Sequence, residues 1–177
     1  MYYEFSTDRL DIRFSKSGDA QQIFELYLSR LAGSKYLARK PHSSIEYTQS
    51  LLNNWSNRNS ADKNNRLILV ITDKSNDTAF GMLTVLKAKN IFEIHFGVSN
   101  DYSGYGYATE APTLFCKEIE YCDRNVKFKS FTDIENIGSQ KVLEKSGFIK
   151  RGKIMRYYSA PQIENMKRDV FNYQRKA

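Results

Sequence analysis

The residues with chemical potential cluster in "EIHFGVSNDYSGYGYATEA", Glu93 to Ala111. Two of the chain's 9 glycines, Gly104 and Gly106, lie one residue apart there, between an apolar run and a helix-like segment. Glycine lets a backbone take angles other residues avoid and approach a ligand closely. A helix N-terminus adds unpaired N–H groups and roughly half a positive charge, so strand, polar turn, Gly-x-Gly and helix together make an anion site. Three uses fit that order: a tight turn and nothing more, a dinucleotide fingerprint with Asp133 as its acidic residue, or a pyrophosphate cradle in a mixed sheet. Thr109 in place of a third glycine, and "SNDYS" between Val98 and Gly104, count against the dinucleotide. Upstream, Glu93 and His95 are two apart. In a strand they share a face with Gly97, opposite an apolar face of Phe92, Ile94, Phe96 and Val98 that should be buried.

These residues need a sheet to hold them. "RLDIRF" alternates as a strand, and "GDAQQIFELYLSRL" has Ile23, Leu26, Tyr27 and Leu31 at helical spacing, with Asp19 as a capping residue. "SSIEYTQSLLNNW" reads as a helix capped by Ser43 or Ser44, and "SNRNSADKNN" as a polar loop. "RLILVITD" and "AFGMLTVLK" flank a turn-rich connection and predict a hairpin, with "NIFEIHFGVS" antiparallel to its second strand. "YGYATEAPTLFCKEIEYC" is a helix with Leu114, Phe115, Ile119 and Cys122 inward, in which Pro112 predicts a kink. "KFKSFT" then makes a parallel crossover with the preceding strand. "NIGSQKVLEKSG" is a short helix ended by Gly147, and "FIKRGKIMRYY" and "KRDVFNYQR" are closing strands. The expected fold is one α/β domain over residues 1–177, a mixed sheet flanked by helices.

Composition narrows the function. A hydrophobic fraction of 41% and 14% aromatics predict a folded globule. No apolar run approaches the roughly 20 residues of a membrane span, and the charged N-terminus "MYYEFSTDRLDIRF" lacks a signal-peptide core, so a cytoplasmic protein with no membrane partner is expected. Cys116 and Cys122, six apart, fit buried thiols, and His42 and His95 are too few and too separate for a metal site. The net charge of +7 falls entirely on residues 141–177. Aromatics interleave with Lys and Arg there, as in a nucleic-acid patch, but alternation makes the same segment a pair of strands, and no nucleic-acid partner is expected.

The sequence resembles the GNAT superfamily of acetyl-CoA-dependent N-acetyltransferases, in the branch of the RimJ/RimL-type ribosomal-protein alanine acetyltransferases. The resemblance spans nearly the whole chain. It opens with Thr7-Asp8-Arg9-Leu10-Asp11-Ile12-Arg13 and Asp19, and continues through the turn Gly104, Gly106, Tyr107, Ala108, Thr109, Glu110 and Ala111. Its third block is Asn136, Ser139, Val142, Leu143, Glu144, Lys145, Gly147 and Phe148, and its last runs from Asp169 to Tyr173. The chain departs from the pattern at Asp101, where the superfamily has Gln or Arg, and at His95, where the branch has glycine.

The resemblance implies a sheet with antiparallel N-terminal strands and a splayed parallel pair at the cofactor. The backbone edge of Phe96, Gly97 and Val98 would meet the pantetheine, and the amides of Gly104, Tyr105, Gly106, Tyr107, Ala108 and Thr109 the pyrophosphate. Asn136 and Ser139 would lie beside the pantetheine and the sulfur. Direct transfer needs a base for the ammonium, assigned to Glu93 or His95, and a donor to the departing sulfur, assigned to Ser139, with Tyr157 and Tyr158 as further donors. A protein N-terminal amine is the expected acceptor. A small amine (polyamine, amino acid or aminoglycoside) and a non-catalytic acyl-CoA-binding module are the alternatives, and a homodimer is left open.

Overall fold

The computed structural model describes residues 3–59, 65–163 and 166–176. Two short strands, β1 (Phe5–Ser6) and β2 (Leu10–Arg13), begin the sheet, with Leu10 and Ile12 alternating into the core. β3 (Arg66–Asp73) is a nearly continuous apolar run buried on both faces, as expected of a central strand. It turns through Asp77, whose positive φ suits the hairpin, into β4 (Thr78–Ala88), which turns at Lys89 and Asn90 into β5 (Ile91–Val98). β6 (Lys127–Asp133), β7 (Ile149–Ser159) and β8 (Lys167–Lys176) complete a sheet of order β1-β2-β3-β4-β5-β6-β8-β7. Every neighbouring pair is antiparallel except β5 and β6.

One face is covered by α4 (Tyr107–Cys122), whose Phe115 and Ile119 pack on Phe92, Ile94 and Phe128. The other is covered by α1 (Asp19–Ile23) and α3 (Ile45–Trp55), around Leu28, Leu52, Ile68 and Val70. The expected long first helix is broken. After α1 the chain makes a π-helical turn, Phe24–Leu28, and then a separate short helix, α2 (Leu31–Ser34). The wider turn rotates the inner stripe, so Leu28 is buried and Leu31 is exposed, the reverse of the regular spacing. Asp19 does not cap α1. It is the helix's first residue, and its buried carboxylate pairs with Arg13 at 2.7 and 3.2 Å.

Ser44 caps α3 by accepting from the Tyr47 amide at 3.3 Å. α4 keeps its helical assignment past the buried Pro112, which leaves the Ala108 carbonyl without its usual donor. Cys116 is the buried thiol, and Cys122, at the helix's end, is exposed. α5 (Ile137–Lys145) ends as expected. Gly147 has φ +83°, and the amides of Gly147 and Phe148 reach back to the Glu144 and Leu143 carbonyls. The expected polar loop at 56–65 lies partly outside the described residues.

The basic C-terminal segment is a partnered pair of strands. Lys153 meets Asp169 at 2.7 Å, Arg168 meets Asp133 and Glu135, and Arg175 meets Glu120 at 2.9 Å. Among the described residues no helix is long and apolar enough to cross a membrane.

Candidate active site

β5 and β6 pair only over Ile91–Glu93 and Lys127–Lys129. Just beyond, the Ser130 hydroxyl donates to the Ile94 carbonyl at 2.7 Å, and the strands then part. The opening exposes the backbone of Phe96 to Val98 on a groove of 490 Å³. Gly104, Gly106 and the first turn of α4, Tyr107 to Thr109, line the same groove, as do Asn136 and Ser139. Tyr105 does not: its ring is 65% exposed, and its carbonyl accepts from Arg9 at 3.1 Å.

Gly104 and Gly106 have φ of +87° and +86°, a left-handed backbone that costs glycine little. Among the described residues no acceptor meets the amides of residues 104–108; pairing resumes at Thr109, whose amide reaches the Gly106 carbonyl. Lys35, Lys141 and Lys145 line the same groove. Unpaired amides, a helix N-terminus and three ammonium groups suit a polyanionic ligand such as the phosphates of acetyl-CoA. Asp101 stays off this wall, paired with Arg30 at 3.2 Å. The turn is braced from afar. Thr7 donates to Glu110 at 2.6 Å, and Arg9 grips the same carboxylate (Nε at 3.1 Å) while lying over the Tyr107 ring.

Asn136 spends its Oδ1 on capping α5, accepting from the Ser139 amide at 3.1 Å, and its Nδ2 has no protein partner among the described residues. A second cavity, of 500 Å³, shares Tyr27, Phe96, Gly97, Asn136 and Ser139 with the first, so the two form one groove. His95 lines this second cavity and Glu93 does not. The Glu93 carboxylate accepts from His95 Nε2 at 2.9 Å and pairs with Lys129 at 2.8 Å. These contacts, the His95 hydrogen bond first, hold its pKa down to about 2 against the cost of burial. Of the two candidate bases, the carboxylate is thus committed, and Nε2–H donation to it leaves Nδ1 as the imidazole's accepting position.

Tyr158 lines the cavity but donates to Asp133 at 2.7 Å, with burial and that carboxylate raising its pKa. Tyr157 packs edge-on against Phe131. The expected apolar face of β5 packs on the core, with Phe92 and Ile94 fully buried and Phe96 and Val98 partly buried where they reach the groove.

Tyr27 was expected only as core. It sits on the π-helical turn, and its hydroxyl lies against Gly97 with no hydrogen bond to another described residue. Burial pushes the phenol's pKa up, so it stays a donor. Nothing local in the sequence marks it. The lysines at 141 and 145, by contrast, share a helix face by i,i+4 spacing. Among the described residues no group of three or more His, Cys, Asp or Glu could hold a metal ion.

The acetyltransferase (GNAT) domain family matches residues 9–149. No curated protein matches the chain in sequence. Among solved structures, ribosomal-protein-S5-alanine acetyltransferase from Vibrio fischeri is similar, with a TM-score of 0.81 at 18% identity over 98% of this chain and 96% of that one. So is the acetyltransferase from Salmonella typhimurium that modifies the N-terminal serine of ribosomal protein L7/L12, with a TM-score of 0.82 at 15% identity over 97% and 96%. Spermidine N-acetyltransferase from Vibrio cholerae, in complex with CoA and spermine, gives 0.74 at 17% identity over 95% of each chain. The parted parallel strands, the anion turn and the family match agree, and the chain belongs to the GNAT family of acetyl-CoA-dependent N-acetyltransferases.

Proposed function

We propose that the chain acetylates the N-terminal amine of a protein or peptide by direct transfer in a ternary complex, in a cytoplasmic setting. Bound acetyl-CoA supplies the acetyl group as a thioester. The amides of Gly104 and of residues 106–108, with Lys35, Lys141 and Lys145, hold the phosphates, and the β5 edge at Phe96 to Val98 aligns the pantetheine. Asn136 Nδ2 donates to that arm, and Ser139 donates to the departing sulfur. His95 takes the proton from the amine, with Glu93 as the positioning residue that fixes its tautomer. The Tyr27 hydroxyl, beside Gly97, donates to the oxygen that gains charge during transfer.

The observation that favours a peptide over a polyamine is the charge of the acceptor cavity. Among the described residues that line it, the one carboxylate, Asp133, is already held by Arg168 and Tyr158, so none of them is free to bind a polycation. Thiol release from acetyl-CoA, measured over free and N-blocked peptides and over spermidine, tests this. The expected result is turnover with the free peptides alone. Turnover confined to spermidine would overturn the assignment, and binding of acetyl-CoA with no thiol release whatever the acceptor would point to a binding module.

A further inference from the structure

The acceptor side of the groove carries an unbalanced positive charge. Arg39, in the segment after α2, and Arg66, the first residue of β3, both line the 500 Å³ cavity. Neither guanidinium meets a carboxylate among the described residues. Arg39 donates to the Lys40 carbonyl at 3.1 Å, and Arg66 lies 5.2 Å from the centre of the Trp55 ring. Each keeps a buried nitrogen without an acceptor, Arg39 Nη2 and Arg66 Nε.

Carboxylates lie near, but they are committed elsewhere. Asp133, on the cavity wall, is gripped by Arg168, and Glu93, in an adjoining cavity that Arg66 also lines, is held by His95 and Lys129. The effect is felt by neighbours. Burial, and then the charge of Arg39, hold the His42 imidazole down to about 4. Burial lowers the pKa of both arginines, with only tyrosine phenols acting the other way. A half-buried guanidinium without a counter-ion is costly, and an anion entering the cavity removes that cost. The fork of N–H groups on each arginine matches an oxyanion in geometry as well as charge.

We infer that Arg39 and Arg66 seat an oxyanion of the acceptor, so that the enzyme selects amines carrying a carboxylate close to the reacting nitrogen. In a peptide acceptor, and so resting on the function proposed above, this means an acidic side chain just behind the N-terminus. The arginines share one cavity with His95, Gly97 and Ser139, which places this seat beside the transfer point.

Thiol release measured on wild-type enzyme tests the inference with two free-N-terminus peptides that differ only in Glu or Gln at their second and third residues. Free glutamate, its α-carboxamide and spermidine complete the panel. The expected result is a kcat/KM about 10- to 100-fold higher for the Glu peptide, mostly through KM, as one charged hydrogen-bonded pair supplies. Replacing both arginines (Arg39→Gln, Arg66→Gln) should collapse that ratio while CoA binding and melting temperature show the protein still folded and loaded. Equal turnover of the two peptides would overturn the inference and leave the peptide assignment standing. Turnover of free glutamate over its carboxamide, lost in the arginine variant and absent with either peptide, would support the anion seat and overturn the peptide assignment. Efficient spermidine turnover unaffected by the arginine changes would overturn both.

Discussion

The hydroxyl of Tyr27 stands 1.9 Å from the point where the first side-chain carbon of any residue but glycine at position 97 would be. The two residues come from distant segments, one on a π-helical turn and one on β5. Gly97 has no positive φ, so alanine would suit the backbone and the clash alone would decide its effect. Gly97→Ala should therefore lower turnover about tenfold or more and cost about 1–3 kcal/mol of stability by overpacking. Adding Tyr27→Phe, which removes the hydroxyl nearest the new methyl without opening a cavity in the core, should recover part of the stability but not the turnover. Tyr27→Phe by itself should reduce kcat by about 10- to 100-fold with the acetyl-CoA KM unchanged, the mark of a donor used in the transition state. Steady-state kinetics with thermal melts separate these cases, and a fully active Tyr27→Phe enzyme would remove the donor role.

At the anion turn, Gly106→Val forces a branched side chain onto a φ of +86° and should weaken CoA binding by about an order of magnitude or more. Calorimetry on the folded variant checks this. Unchanged affinity would place the phosphates elsewhere.

His95→Ala should lower turnover about 100-fold and flatten the acidic limb of the pH–rate profile, as loss of a general base does. Glu93→Gln should cost less, because it misaligns the base rather than removing it. Glu93 also gives a stability signature. Its folded pKa of about 2 lies below the ordinary carboxylate value, so its contribution is full above about pH 5 and lost as pH falls toward 2. The melting temperature of Glu93→Gln should accordingly fall less steeply over that window than that of the wild type. Parallel curves would contradict the ion pair.

Asn136 has two separable jobs. Asn136→Asp keeps the oxygen that caps α5 and loses the Nδ2 donor, so the melting temperature should hold while the acetyl-CoA KM rises. Asn136→Ala should change both, with about 1 kcal/mol lost from the missing cap. A normal KM in Asn136→Asp would reduce this residue to a cap.

The central strands were legible because alternation, apolar runs and turn residues are local signals, and β3, β4 and β5 fall where those signals put them. The parting of β5 from β6 came from the family resemblance alone. The π-helical turn was not legible, since one extra residue in a turn moves Leu28 inward and Leu31 outward without changing composition. Asp19 looked like a cap because capping and ion pairing use the same carboxylate, and Arg13 is brought to it only by packing. In the site, glycines at 104 and 106 announce themselves by their backbone needs. Tyr27, Lys35, Arg39 and Arg66 line the groove only because tertiary structure carries them there from distant segments.

The brace between Arg9 and Glu110 joins positions 101 apart in the chain, and that separation is a matter of time as well as space. Long loops cost entropy to close before their contacts repay it, so such links form late. The anion turn should thus reach its binding shape after the sheet has formed. In refolding from denaturant, far-ultraviolet ellipticity should recover before CoA affinity does, and simultaneous recovery would contradict this order. On a ribosome adding about 5–20 residues per second, Arg9 waits roughly 5–20 s for its partner to be made.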